Sequence, residues 1–161
     1  RSPYIKQADT LQGMFFFEDQ TPMKVLKKNF DFYEPLTVHE SSLSPSIHSI
    51  LASRLDYNEK AYQLYLRTAR LDLDDYNNEV HEGLHITAMG GTWMAIVYGF
   101  GGMKINGEML CFEPKLPDQW EKLSFHIRWR NSILQIIIDA NGFSIENIQG
   151  NKINFNVQEL Y

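Results

Sequence analysis

The sequence predicts an α+β protein in which several helices come first and a small antiparallel sheet or sandwich follows. Apolar residues recur at helical spacing through most of residues 1–101, whereas apolar and polar residues alternate beyond them. Two Asn-Gly pairs, at residues 106–107 and 141–142, are strong hairpin signals in the second part. We therefore predict a helical part over residues 1–101 and a β part over residues 102–161.

Five helices are predicted in the first part. The most regular covers Glu59 to Leu73, where apolar side chains recur at i, i+3, i+4, i+7 and i+11. A helix with Ile47 to Leu55 on its apolar face is expected to begin near Ser42 to Ser44, since Ser is a favoured N-cap and Pro45 suits a first turn. The other three are expected over Tyr4 to Phe17, over Met23 to Tyr33 and after His85.

The second part predicts short strands separated by turns. The change of period and a cluster of glycines place its beginning between Gly99 and Ile105. The expected strands are the two arms of a hairpin over Lys104 to Phe112, the alternating segment around Phe125 to Trp129, Ile133 to Asp139, the residues from Phe143, and a last strand with Ile153, Phe155 and Val157 inward.

Composition limits the classes of partner. A net charge of −5 and a pI near 5.5 argue against nucleic acid. The apolar runs are too short for a membrane span. The single cysteine, Cys111, predicts no internal disulfide, a buried small side chain and a reducing compartment, so we expect a cytoplasmic protein. Because the first residue is Arg, we interpret the chain as a piece of a longer protein.

The stretch from Tyr33 to Ser49 carries an unusual density of polar side chains just before a helix. His39, Ser41 and Ser42 are among them. The serines are interpreted either as helix caps or as part of an anion site that uses hydroxyls, free N–H groups and the positive end of the helix dipole. His85 stands at a second predicted helix start and is a further candidate for anion contact.

An acidic cluster follows the most regular helix. It contains Asp72, Asp74 and Asp75, and it lacks the glycine and terminal glutamate of a calcium loop. We interpret it as a loop rather than a cation site.

Four long segments occur in order along the chain: IKQADTL, YEPLTVHESSLSPSIHSILA, KAYQLYLRTARLDLDDYNN and EGLHITAMGGTW. Together they resemble the inverting disaccharide phosphorylases of glycoside hydrolase family 65. The resemblance implies an (α/α)6 barrel followed by a β-sandwich, so residues 1–101 would be the C-terminal part of the helical catalytic barrel and residues 102–161 the β-sandwich domain.

The same resemblance implies phosphorolysis of an α-linked glucose disaccharide, with maltose expected, to glucose and β-glucose 1-phosphate with inversion. Phosphate is the nucleophile, and the general acid is a glutamate upstream, so no catalytic residue is assigned in this chain. Lys6 and Gln7 match the sugar-binding pair of the family, and Ser41, Ser42 and His85 match its phosphate-binding residues. We expect no metal and no organic cofactor. The expected partners are the disaccharide, inorganic phosphate and the upstream part of the same enzyme, with a homodimer when full length.

Two other functions stay open. A hydrolase of the same family, such as an acid trehalase, would use water and would need neither the serine pair nor a phosphate-binding histidine. A non-catalytic sugar-binding or structural module is the other, since Trp120 and Trp129 could stack on a sugar, although core and rim positions explain them equally well.

Overall fold

The computed structural model describes residues 3–39, 41–76 and 78–150. It forms two compact units, Arg1–Gly99 and Phe100–Tyr161. The first unit is helical. Its helices are α1 (Asp9–Phe16), α2 (Met23–Tyr33), α3 (Ser44–Arg54), α4 (Asn58–Ala69), α5 (Leu71–Asp74) and α6 (Ile86–Met94), which continues into a π-helical turn over Ala95–Phe100.

Helix α3 lies at the centre of the first unit. All of its residues are buried, and it packs against α1, α4 and α6. The prediction that this helix buries only an apolar face is therefore wrong, because its polar side is buried as well. Two of its serines are hydrogen-bonded there: Ser49 Oγ donates to the carbonyl of Ala61 at 2.8 Å, and Ser53 Oγ donates to the carbonyl of Gly99 at 3.2 Å.

Two predicted helix boundaries are corrected. The first helix begins at Asp9 rather than Tyr4, because Ile5 pairs with Thr37 in a parallel bridge. The N–H of Ile5 donates to the carbonyl of Leu36, and the carbonyl of Ile5 accepts from the N–H of Val38, both at 3.0 Å. The helix predicted from Glu59 to Leu73 is divided into α4 and α5. Arg70, with φ of −107° and ψ of 9°, leaves helical geometry between them.

The second unit contains two antiparallel sheets. β1 (Met103–Asn106) and β2 (Met109–Phe112) form a hairpin, and β3 (Lys122–Trp129), β4 (Ser132–Asp139) and β5 (Gly142–Gln149) form a sheet in that order. The two sheets meet where the rings of Phe112 and Phe143 lie 5.1 Å apart. The core lies along β3 and β4, where Leu123, Ile127, Leu134, Ile136 and Ile138 are buried. The strand expected around Phe155 lies outside the described residues.

Gly102 is required where helix gives way to strand. Its φ is +64°, and a Cβ at this position would lie 1.9 Å from the carbonyl oxygen of Glu113. The helical run ends at Phe100, and β1 begins at Met103.

The α+β prediction is confirmed, with helices first and antiparallel sheets after them. Cys111 is buried and free. Trp120 packs edge to face on Phe100 with the ring centres 5.1 Å apart, and the guanidinium of Arg130 lies 5.8 Å from the ring centre of Trp129. Within the ranges given above, every helix falls short of the length and apolar character that crossing a membrane requires.

Candidate functional site

The N-terminal ends of α3 and α6 lie side by side. Ser42 Oγ and Thr87 Oγ1 are 3.5 Å apart across the gap. Near these ends the two helices pack closely, since a Cβ at Gly91 would lie 2.7 Å from Ser46 Oγ. Glycine at this position therefore lets two helix starts, each a positive dipole end, lie close together.

The serine pair occupies the turn before α3 and does not cap it in the usual way. Helix α3 begins at Ser44, its preceding residue is Leu43, and no side chain of the described residues caps it. Ser41 Oγ accepts a hydrogen bond from the N–H of Leu43 at 3.3 Å, which keeps the turn in shape. Both serines are partly exposed. Because Ser41 Oγ is the acceptor in this bond, its own proton can be donated to a ligand, whereas in the contact of Ser42 with Thr87 either hydroxyl can be the donor.

His85 is held by Asp72 at the start of α6. One carboxylate oxygen of Asp72 lies 2.6 Å from His85 Nδ1, and the other accepts the backbone N–H of His85 at 3.0 Å. This side-chain hydrogen bond, together with the charges of Asp72 and Glu79, raises the pKa of His85 above its ordinary value. The same bond lowers the pKa of Asp72. The pair therefore favours an imidazolium at the helix start.

The role of Asp72 was missed by the sequence analysis, which treated the acidic cluster only as a loop. The other members have structural partners: Asp74 pairs with Arg70 at 2.6 Å, and Asp75 Oδ1 accepts the N–H groups of Glu79 and Val80. An acidic residue thirteen positions before a helix-starting histidine gives no periodic signal.

The structure places Lys6 and Gln7 in an exposed segment before α1. Because Ile5 pairs with Thr37, this segment runs beside the residues that lead into the serine turn. Gln7 Nε2 donates to Asp9 Oδ1 at 3.3 Å. The backbone bridge thus brings the predicted sugar-binding pair to the strand-like segment just before Ser41, while the side chains point to solvent.

Glu79 is the second carboxylate beside His85. Its Oε2 lies 3.6 Å from His85 Nε2, and its side chain is about half exposed. The ring nitrogen that Asp72 does not hold therefore faces an acceptor that solvent can reach. An anion that binds at Nε2 would have to displace Glu79.

Comparison with known proteins assigns both parts of the chain to one family. Residues 1–94 match the model of the glycosyl hydrolase family 65 central catalytic domain, and residues 103–159 match that of the glycosyl hydrolase family 65 C-terminal domain. The chain belongs to glycoside hydrolase family 65.

Several of the relatives found are disaccharide phosphorylases by name. The chain is 52% identical to a maltose phosphorylase from Bacillus subtilis over 99% of its own length and 21% of that protein. It is 45% identical to an α,α-trehalose phosphorylase from Thermoanaerobacter brockii over 92% of its length and 19% of that protein. A solved structure, provisionally described as a kojibiose phosphorylase from the human microbiome, superposes with a TM-score of 0.89 at 41% identity, covering 96% of this chain and 22% of the other. The chain thus spans about a fifth of the length of these relatives.

Proposed function

We propose that this chain is the C-terminal part of an inverting phosphorylase that cleaves an α-linked glucose disaccharide and that it supplies the phosphate site. The proposal rests on one observation: the turn that contains Ser42 lies beside the start of α6, where His85 is located. Ser42 Oγ and Thr87 Oγ1 are 3.5 Å apart there. The names of the relatives support it. Maltose is the proposed disaccharide, because the maltose phosphorylase is the more similar of the two curated relatives described above.

In the proposed site the phosphate dianion lies between the two helix starts. The hydroxyls of Ser41 and Ser42 donate to it without adding charge, and the N–H groups and dipole ends of α3 and α6 favour its negative charge. Protonated His85 adds a charge-assisted hydrogen bond from Nε2. Lys6 and Gln7, beside the same segment, would hold the sugar.

The reaction balances with groups from two parts of the protein. A phosphate oxygen forms a bond to the anomeric carbon as the glycosidic bond breaks, and a carboxylic acid upstream of this chain gives its proton to the departing sugar oxygen. This chain contributes binding and orientation of the nucleophile. We place no catalytic acid in it.

Asp72 is the positioning residue of this site. Its two hydrogen bonds fix both the backbone and the ring of His85, so Nδ1 carries a proton toward Asp72 and Nε2 is directed outward. Glu79 Oε2, 3.6 Å from Nε2, would pair with His85 in the absence of phosphate and give way when phosphate binds. We also propose a cytoplasmic location and a homodimer of the full-length enzyme, which rest on the cysteine usage and on the family resemblance.

The test is the double variant Ser41→Ala/Ser42→Ala in the full-length enzyme. Loss of one donor of this kind costs about 2.7–4 kcal/mol in a water-excluded site, and solvent reduces that cost here because both serines are partly exposed. We therefore expect the KM for phosphate to rise at least tenfold while the KM for the disaccharide changes little. Ser144→Ala, on an exposed position of β5, is the matched control. A fall in Tm of the double variant with unchanged phosphate kinetics would show that the serines are structural only.

A further inference from the structure

Glu34, His39 and His48 form a cluster of two buried histidines and one partly buried glutamate that the proposed reaction does not use. They come from three pieces of the first unit: the turn after α2, the loop before the serine turn, and the second turn of α3. One ligand atom of each lies within 4.8 Å of the other two. The two imidazole rings meet edge to face with centres 4.7 Å apart.

The two histidines are buried without protein partners for their ring nitrogens. The exposed fraction is 0% for His48 and 8% for His39. Among the described residues, neither the Nδ1 nor the Nε2 atom of either ring has a hydrogen-bond partner. Four unpaired nitrogens in one buried place are unusual, since buried polar atoms in folded proteins are nearly always satisfied. His39 also has a φ of +55°, an uncommon backbone conformation for a residue other than glycine.

Both rings are neutral at physiological pH. Burial lowers the pKa of His39 to about 4 and that of His48 to about 3. For His39 the nearby charges of Arg67 and Lys60 add to this effect, and Glu34 opposes it. For His48 the added causes are His39 and Lys60. Neutral imidazole is the form that binds metal ions, because the ring then keeps a lone pair on one nitrogen.

Glu34 completes a ligand set of two nitrogens and one oxygen. Lys60 Nζ lies 2.5 Å from Glu34 Oε2, and the Lys60 side chain is about half exposed. A carboxylate has a second oxygen, so Glu34 can serve a metal ion with one oxygen while Lys60 stays on the other or moves to solvent. Two histidines, one glutamate and one open position are a donor set that suits Zn²⁺ and related divalent ions.

We propose that Glu34, His39 and His48 bind one divalent transition-metal ion of the Zn²⁺ class. From the sequence we expect no metal, because the phosphate contacts need none, so this site is a revision of that expectation. The three ligand atoms, now within 4.8 Å of one another, would have to draw closer around an ion whose bonds to nitrogen and oxygen are about 2.0–2.2 Å long. The ion would tie the end of α2 and the loop at His39 to α3, and so hold the turn that begins two residues later at Ser41.

The experiment uses the full-length protein without an affinity tag. It is stripped of metal with a chelator, dialysed into metal-free buffer, and titrated with Co²⁺ and then with Zn²⁺. We expect the visible absorption of four-coordinate Co²⁺ to saturate at one ion per chain, Zn²⁺ to abolish it, and elemental analysis to find one Zn²⁺ retained after gel filtration. These readouts do not depend on phosphorolysis, so they separate this proposal from the proposed function.

His48→Phe should lose the Co²⁺ absorption, since Phe fills a similar volume and has no ligand atom. Glu34→Gln keeps the shape and, if His48→Phe fails to fold, still tests the site: we expect at least a tenfold rise in the Kd for Zn²⁺. His81→Gln, which changes an exposed histidine of the same unit, should bind as wild type does. Absence of stoichiometric binding by the wild type, or wild-type affinity in both His48→Phe and Glu34→Gln, would overturn the proposal.

Discussion

Acidification should destabilise the first unit through its two buried histidines. In metal-free buffer, both rings are neutral when folded and take up a proton only near pH 4 and pH 3. In the unfolded chain they protonate near the ordinary pKa of about 6.5. A group whose pKa is lower in the folded state binds fewer protons there, so the free energy of unfolding falls as the pH drops below about 6.5.

The size of the effect follows from these pKa values. Each fully buried ring removes about 1.4 kcal/mol of stability per pH unit once the pH is below the unfolded pKa, or about 2 kcal/mol between pH 7 and pH 5. His39 contributes less than His48, because it lies nearer to solvent, so we expect a total of about 3 kcal/mol. His85 acts in the opposite direction, since its pKa is raised and its pairing with Asp72 strengthens as the pH falls.

The assay is urea unfolding of the purified protein at closely spaced pH values, with a chelator present. The variant His39→Asn/His48→Phe removes both titrating groups, and Asn tolerates the positive φ at position 39. Between pH 7 and pH 5 the variant should lose about 3 kcal/mol less stability than the wild type does. Parallel pH profiles of the two proteins would refute the reasoning, because the acid sensitivity would then come from other groups.

Three further predictions concern positioning, backbone and completeness. Asp72→Asn should raise the KM for phosphate and lower the apparent pKa of His85 measured by NMR, whereas Asp74→Asn, in the same short helix α5, should leave both unchanged. Gly102→Ala should lower the free energy of unfolding of the second unit by at least about 1–3 kcal/mol in urea titration, because positive φ and a backbone clash act together there. Gly107→Ala, at nearly the same φ but with open space around the Cβ, should cost clearly less, and equal losses would show that the clash is relieved. Residues 1–161 alone should release no sugar 1-phosphate from maltose, since the general acid lies upstream, and measurable release would contradict that assignment.

Local pattern predicted the order of the elements well. The helical period gave α2 and α3, and the pair Asn106-Gly107 gave the turn of the first hairpin, where Gly107 has a φ of +59°. These features depend on a few neighbouring residues, so one sequence is enough to predict them.

Contacts between distant residues could not be predicted in the same way. Ile5 fits the period of a helix, yet its backbone pairs with Thr37, which no local preference indicates. The hydrogen bond between Asp72 and His85 and the contact between the rings of His39 and His48 also join residues that are distant in sequence. For Ser41, Ser42 and His85, the residue types were predictable from the sequence, but their neighbours are known only from the structure.

The buried hydrogen bonds of α3 have a mechanical consequence. Ser49 and Ser53 are one turn apart, and each donates to a carbonyl of a different neighbouring segment, at Ala61 and Gly99. A helix held by apolar contacts alone can rotate or slide by small amounts at little cost, but two directional bonds on one side fix both its rotation and its axial position. The turn with Ser41 and Ser42 is attached to the other end of this rigid rod, about 14 Å from Ser53 at 1.5 Å per residue. The geometry of an anion site at the start of α3 therefore depends partly on hydrogen bonds near the other end of the helix. Loss of the Ser53 hydroxyl would shift the site although Ser53 does not contact it.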